Sequence, residues 1–287
     1  MTPPATVRTA ITGVGWAVSG PGFDPDTELT RRGMLHKDRA SRFALLAAEA
    51  ALGDAGLLGA PELEGAAVVL SSNYGNLDTV CDFVATIAAD TSAGIRPMRV
   101  PHMSSHVTAA WVALQHGIRG PNLTLCNGAS GGLDAVAWAR TLIAAGRAAS
   151  VLVIGVEPDT PPVARLHRET AGQRWIDGAV GLVVEPTEHA LSRGAPVRAE
   201  IAGYGRGDDE LSAVRAAGAG ATPRRLDGEP AARFGRCSGA LGVVQCALAV
   251  EQLDDGPVLA VAGAGSSESD GTSVSALVLM PAPRATP

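Results

Sequence analysis

The sequence predicts an α/β protein built round a largely buried sheet. Short runs of Val, Ile and Leu, each of strand length, alternate along the 287 residues with stretches whose apolar residues recur every three or four positions. The strand candidates are apolar nearly throughout, as strands covered on both faces are. Hydrophobic residues make up 46% of the chain and charged residues 18%, which excludes a disordered or solvating chain. Aromatics reach only 3% while glycine numbers 35, so the core is predicted to be Ala, Val and Leu with close backbone approaches at Gly.

Each element follows from its own pattern. VRTAITGVG (7–15) is an apolar run ending in Gly and reads as a buried strand. Residues 38–56 place Phe43, Leu46, Ala47 and Ala50 on one helical face, with Gly53 or Gly56 as the stop. AAVVLSS (66–72) is a second strand. After Asn76, the residues Leu77, Val80, Cys81, Val84, Ile87 and Ala88 form one helical stripe, which reads as core by default. Ser104 or Ser105 is placed to cap a helix through Trp111 to His116, closed by Gly117. NLTLC (122–126) reads as a strand, NGASGG as a tight turn and 133–146 as a helix; strands follow at 151–157 and 179–185. From His189 to about Gly228 the chain is polar and Gly-rich, the poorest candidate for packed structure and the only plausible seam between two halves. A helix at 238–253 and strands at 258–265 and 274–280 complete the pattern. No internal repeat is visible.

Lys and Arg total 23 against 29 Asp and Glu, a net charge of −6 that argues against nucleic acid as a partner. Lys37 is the only lysine. Cys81, Cys126, Cys237 and Cys246 share no metal-ribbon spacing, and a disulfide framework is not expected at this length. The first residues carry Pro-Pro and no apolar stretch behind a basic start, so no signal peptide is expected. No apolar run approaches a membrane span. The expectation is a cytoplasmic, soluble protein.

Four motifs invite chemistry. Gly13-Val14-Gly15 follows a strand, but Val18 occupies the third glycine of a dinucleotide fingerprint, so a structural turn is the better reading. Gly128-Ala129-Ser130-Gly131-Gly132 is a literal G-x-S-x-G between strand and helix, which makes Ser130 a hydrolase or acyltransferase nucleophile on pattern alone. Its base would have to be His167 or His189, with Asp159 or Asp177 as the acid, since no histidine lies further along. The remaining histidines are His36, His102, His106 and His116. His102 and His106 stand four apart, yet Pro101 and the two serines between them fit a loop leading into a helix better than a metal site. Cys126 closes a strand before the turn and reads as an inert thiol. No metal or cofactor is expected.

The run His116-Gly117-Ile118-Arg119-Gly120-Pro121-Asn122-Leu123-Thr124, followed by Gly132-Leu133-Asp134-Ala135, resembles the active-site segment of β-ketoacyl synthases. Further segments agree in order. They are Ser41 to Leu45 with Asp54 to Leu57, Gly146-Arg147-Ala148 with Gly155-Val156-Glu157, Asp177-Gly178-Ala179, and Ala199 to Gly205. Gly235-Arg236-Cys237-Ser238-Gly239-Ala240-Leu241-Gly242 is similar to the glycine-rich start of the family's late helix, and Gly263-Ala264-Gly265 to its closing turn. The resemblance covers almost the whole chain. It implies a thiolase-like layered αβαβα fold within a single domain, with one half at about 1–190 and a shortened second half at about 195–287.

The departures from the family pattern carry the functional reading. Ungapped alignment of the matching runs puts Ala129 where the family has its nucleophilic cysteine, a residue activated at a helix N-terminus. Of the two histidines that the family takes from its second half, one has no counterpart here and the other aligns with Arg236. The resemblance therefore implies a catalytically silent subunit of the chain-length-factor kind, in type II polyketide, polyene or fatty-acid-like synthesis. Chain-length factors usually carry Gln where this chain has Ala129. The implied partners are an active ketosynthase, in a heterodimer, and an acyl carrier protein reached directly or through that ketosynthase. Leu77, Val80 and Val84 are the candidates for the far wall of an acyl tunnel. The alternatives are the Ser130 hydrolase and a homodimeric acyl-binding protein.

Overall fold

The computed structural model describes residues 7–29, 37–167, 173–220, 223–226, 229–253, 256–263 and 273–282. The strands are β1 (Thr9–Val18), β2 (Ala67–Ser71), β3 (Asn122–Leu125), β4 (Val151–Glu157), β5 (Gly178–Pro186), β6 (Ala199–Gly207), β7 (Arg224–Arg225), β8 (Val258–Gly263) and β9 (Val274–Pro281). The helices are α1 (Pro25–Glu28), α2 (Arg39–Asp54), α3 (Leu77–Asp90), α4 (Val107–His116), α5 (Gly131–Ala144), α6 (Pro161–Leu166), α7 (Thr187–Ser192), α8 (Glu210–Ala216), α9 (Glu229–Phe234) and α10 (Leu241–Gln252). The strands run in the order β3-β2-β4-β5-β1-β6-β9-β8-β7.

Strand pairing exposes a duplication. From the centre outward, β1-β5-β4-β2 pair antiparallel, antiparallel, parallel, and β6-β9-β8-β7 repeat that sequence of pairings. The register slips between Ile11 and Gly13 in β1 and between Ile201 and Gly203 in β6, the same place in each half. The two halves meet where Ala10 and Ile11 pair with Glu200 and Ala199.

Alternate residues of each strand sort the interior into five layers. Val151, Val153, Leu182, Val184, Ala260, Leu277 and Leu279 join Leu133 and Val136 of α5 and Val243 and Leu248 of α10 in a central core. Leu152, Ile154, Val183 and Leu70 point the other way, into a core closed by α2 and α4. Leu259, Val274, Ala276 and Val278 face Ala213 of α8 and Ala217 at its C-terminal cap. The order is thus α2/α4, sheet, α5/α10, sheet, α8. This is the layered arrangement of two similar halves expected above, the second with fewer strands and one short outer helix.

Two local reasons set these packings. A side chain at Gly15 would put its Cβ 2.3 Å from the Ala47 carbonyl oxygen of α2, and one at Gly205 would put it 2.1 Å from Ala213 O of α8. Gly13-Val14-Gly15 is therefore mid-strand, not the turn predicted, and its glycines let a helix lie directly on the strand. In the central layer a Cβ on Gly132 would stand 2.6 Å from Gly242 N, so α5 and α10 cross backbone against backbone.

Other expectations shift in detail. Asp38 caps α2, accepting from Ser41 N at 2.7 Å, and the buried face runs through Phe43, Ala44, Ala47, Ala48 and Ala51, leaving Ala50 exposed. The cap of α4 is His106, because Ser104 already ends the preceding 3₁₀ segment and its Oγ accepts from His106 N. Gly117 closes α4 as expected. The described residues of the Gly-rich stretch after His189 are not loop alone: they hold β6 and α8. Glycines that break the apolar pattern of β6 are what its neighbouring helix requires.

Candidate functional site

The site is the pair of turns that start α5 and α10. Strand β3 ends at Leu125, Cys126 is exposed, and residues Gly128–Ser130 form a 3₁₀ turn that runs into α5. Ala129 lies in this turn and is only 4% exposed. Ser238–Ala240 is the corresponding 3₁₀ turn before α10, and Ser238 has φ 43°, a left-handed value that costs a serine energy unless its surroundings enforce it.

Asn73, just after β2, joins the two turns. Its Oδ1 accepts from Gly128 N at 3.1 Å, and its Nδ2 donates to Ser238 Oγ at 2.8 Å. Below it lies Glu157, the last residue of β4, fully enclosed. Its carboxylate accepts from Asn73 N (2.8 Å), Tyr74 N (3.0 Å), Gly239 N (3.0 Å) and Ser72 Oγ (3.2 Å). Burial pushes this carboxyl up to about 7, against the pull of those four donors. Ser71 Oγ completes the seam by donating to Gly239 O at 2.7 Å.

Ser130 stands one residue beyond Ala129 but faces a different network. It is 2% exposed, and its hydroxyl donates to Asn127 O and to Asp134 Oδ2, both at 3.3 Å. Asp134 also receives Tyr204 OH (2.7 Å), Ser275 Oγ (2.5 Å), Arg206 Nη1 (2.5 Å) and Asn127 Nδ2. Asp134 therefore ties α5 to β6 and β9, with Ser130 as one of its donors. Of the acids and bases once paired with Ser130, Asp177 holds Arg39 in an ion pair and accepts from Asp159 N. His167 stacks on Trp175, and His189 lies beside Glu185. None of the four is bonded to Ser130. That dismantles the predicted triad.

Arg236 is half-buried and held in place by its neighbours. Its guanidinium lies 4.7 Å over the Trp175 ring and donates to Gln173 Oε1 at 2.8 Å. His167 stacks on Trp175 at 3.9 Å, and Tyr74 meets His167 edge-on at 5.0 Å. His102 lies in a 3₁₀ segment against Trp111, whereas His106 bonds Thr124 Oγ1, so the two do not share a helix. His116 is pushed down from its usual value by burial. His36 lies outside the described residues.

The α3 stripe corrects the core reading. The buried residues of α3 are Thr79 and Phe83, and Asp78 accepts from Thr160 Oγ1 at 2.5 Å. These contacts turn Leu77 and Val80 to half-buried positions and leave Val84 61% exposed. Met98, Val100 and Met103, in the 3₁₀ segment Pro97–Met103, are also exposed. Sequence reasoning missed Asn73, Glu157, Ser238, Tyr204 and Arg206. The one available signal was Glu157, an acid ending an otherwise apolar strand.

Comparison with known proteins agrees with this geometry. The N-terminal domain model of the β-ketoacyl synthases matches residues 3–173. A 3-oxoacyl-[acyl-carrier-protein] synthase 2 of Rhizobium meliloti (strain 1021) is 29% identical over 194 residues, 58% of this chain and 46% of that protein. A putative polyketide beta-ketoacyl synthase 2 of Streptomyces virginiae is 28% identical over 237 residues, 69% of this chain and 56% of that protein. The chain thus spans about half the length of the curated relatives it matches. Among solved structures, the ishigamide ketosynthase/chain length factor superposes with a TM-score of 0.78 at 22% identity, covering 96% of this chain and 100% of that one. A beta-ketoacyl synthase from Burkholderia phymatum STM815 superposes at 0.77 with 18% identity, covering 96% and 100%. Among the described residues no helix is long and apolar enough to cross a membrane. With the family model matching more than half its residues and the fold reproduced throughout, this chain belongs to the β-ketoacyl synthase family.

Proposed function

We propose that the chain is a non-catalytic ketosynthase-like subunit of a type II polyketide, polyene or fatty-acid-like system, acting as a chain-length factor does. The observation that carries this reading is Ala129. Where the family resemblance calls for a thiolate at the head of a central helix, a methyl group is enclosed. A methyl carbon accepts no acyl group, and Arg236 cannot act as the neutral imidazole whose position it takes.

The exposed apolar face formed by α3 and Pro97–Met103 supports a partner. A contiguous apolar surface is costly to leave in water, and an active ketosynthase of the same fold is the occupant this reading calls for. In that heterodimer Leu77, Val80 and Val84 form one wall of an acyl tunnel, and the small side chains at 80 and 84 leave it deep. The chemistry belongs to the partner, which also receives the acyl carrier protein or shares it with this chain.

Co-expression with ketosynthases encoded beside it should give a stable complex that extends acyl chains. The purified single chain should neither decarboxylate malonyl carrier protein nor condense it. Turnover by the single chain overturns the reading, and so does turnover by an Ala129→Cys variant, which restores one group of a set that acts as a unit.

A further inference from the structure

We propose that position 129 is closed to an acyl-pantetheine arm, and that Asn73 is the residue that closes it. The inference rests on the partner-subunit reading and sharpens it: growing acyl chains meet this protein only at its outer α3 face, never at its own emptied site.

Several independent observations meet at this point. Ala129 and Ser130 are 4% and 2% exposed, so both side chains are covered. A polar tie spans the two turns. One Asn73 amide accepts from Gly128 N, the backbone group immediately before position 129, and donates to Ser238 Oγ in the opposite turn. An arm entering between the turns would have to break both bonds. Gly239, next to Ser238, is packed so closely that an added Cβ would lie 2.9 Å from Glu157 Oε1 and 3.1 Å from Ser72 Cα. Ser238 keeps its left-handed φ of 43° within this frame, where its hydroxyl is Asn73's acceptor. The two turns are therefore tied to each other through Asn73 and to the strand ends beneath through Glu157.

The test uses Ala129→Cys as a reporter in a Cys81→Ser, Cys126→Ser background, read by mass spectrometry of the peptide that carries position 129. The probes are iodoacetamide and a chloroacetyl-pantetheine. In the folded chain, labelling at 129 should be slower than in the urea-unfolded chain by on the order of a hundredfold, as for a group reached only by local opening. Adding Asn73→Gly or Asn73→Ala should raise the pantetheine rate about tenfold while circular dichroism stays native.

Fast labelling without any Asn73 change overturns the seal. Slow labelling that stays slow in a folded Asn73 variant overturns the role of Asn73. Should neither variant fold, hydrogen exchange of the Gly128 amide in the unaltered chain decides. Protection equal to that of the α5 core is expected, and exchange at a loop rate refutes the bond. Pairing with a ketosynthase is measured separately. A sealed site without pairing sinks the partner reading alone, and an open site with intact pairing sinks the seal alone.

Discussion

The first half of the molecule and the second are the same design at two thicknesses. Each lays a glycine-bearing strand against an outer helix and sends a 3₁₀ turn into a central helix, and both order their shared strands alike. Among the described residues the first half has five strands, with α2 of 16 residues and α4 over its outer face. The second has four, with β7 only two residues long and α8 seven. What survives in both is the central layer and the turns that feed it, so the seam between the halves is where stability and function should be most sensitive.

The largest effect is expected at the crossing of α5 and α10. Gly132→Val drives a side chain into the Gly242 backbone, which cannot retreat as a side chain could. The penalty exceeds the roughly 1–3 kcal/mol usual for overpacking, and no cooperative unfolding transition should remain in urea. A native-like transition would mean that the halves do not depend on this contact.

Glu157 tests the seam through pH. Its folded value of about 7 lies above the ordinary 4.5, so the folded chain holds this proton more tightly than the unfolded one. Its contribution is full below pH 4.5 and is lost as the pH rises to about 7, a change of about 3 kcal/mol. Stability of the unaltered chain relative to Glu157→Gln should fall by that amount across the window and level off above it. An unchanged difference between the two denaturation curves would remove Glu157 from the titration.

Matched truncations measure the unequal thickness directly. Leu70→Ala, beneath α2 and α4, should cost about 4 kcal/mol, whereas Leu259→Ala, beneath α8 alone, should cost about 2 kcal/mol because a thin cover collapses more readily. Equal costs in guanidinium unfolding would show the outer layers to be equivalent.

The smallest effect on stability carries the most functional information. Val84→Phe, on an exposed face, should change stability by less than about 0.5 kcal/mol. In the reconstituted heterodimer it should shorten the product, and Val84→Ala should lengthen it. An unchanged product distribution from a folded complex would take α3 out of the tunnel.

Against this comparison, the sequence read the first half more fully than the second. VLVIGVE announced β4 to the residue, because a strand covered on both faces is apolar at every position except its terminal acid. In the second half β6, the counterpart of β1, went unseen as local structure: AEIAGYGRG lacks an apolar run because its glycines make room for α8. The duplication was hidden for the same reason, since what the halves share is close backbone approach, not side-chain pattern. In α3 the three-and-four spacing was real, but periodicity identifies a stripe and not what lies opposite it. Thr79 and Phe83 took the inner face.

By itself the sequence determined the alternation of strands and helices, the family, and the alanine at the expected nucleophile position, because these depend on residue identity and near neighbours. Tertiary structure alone decided the rest. Glu157 gathers donors from residues 82 to 85 positions away, and Asn73 reaches Ser238 across 165. A hydrogen bond needs its partners within about 3 Å in space, and nothing in the order of the chain states which distant groups folding will bring there.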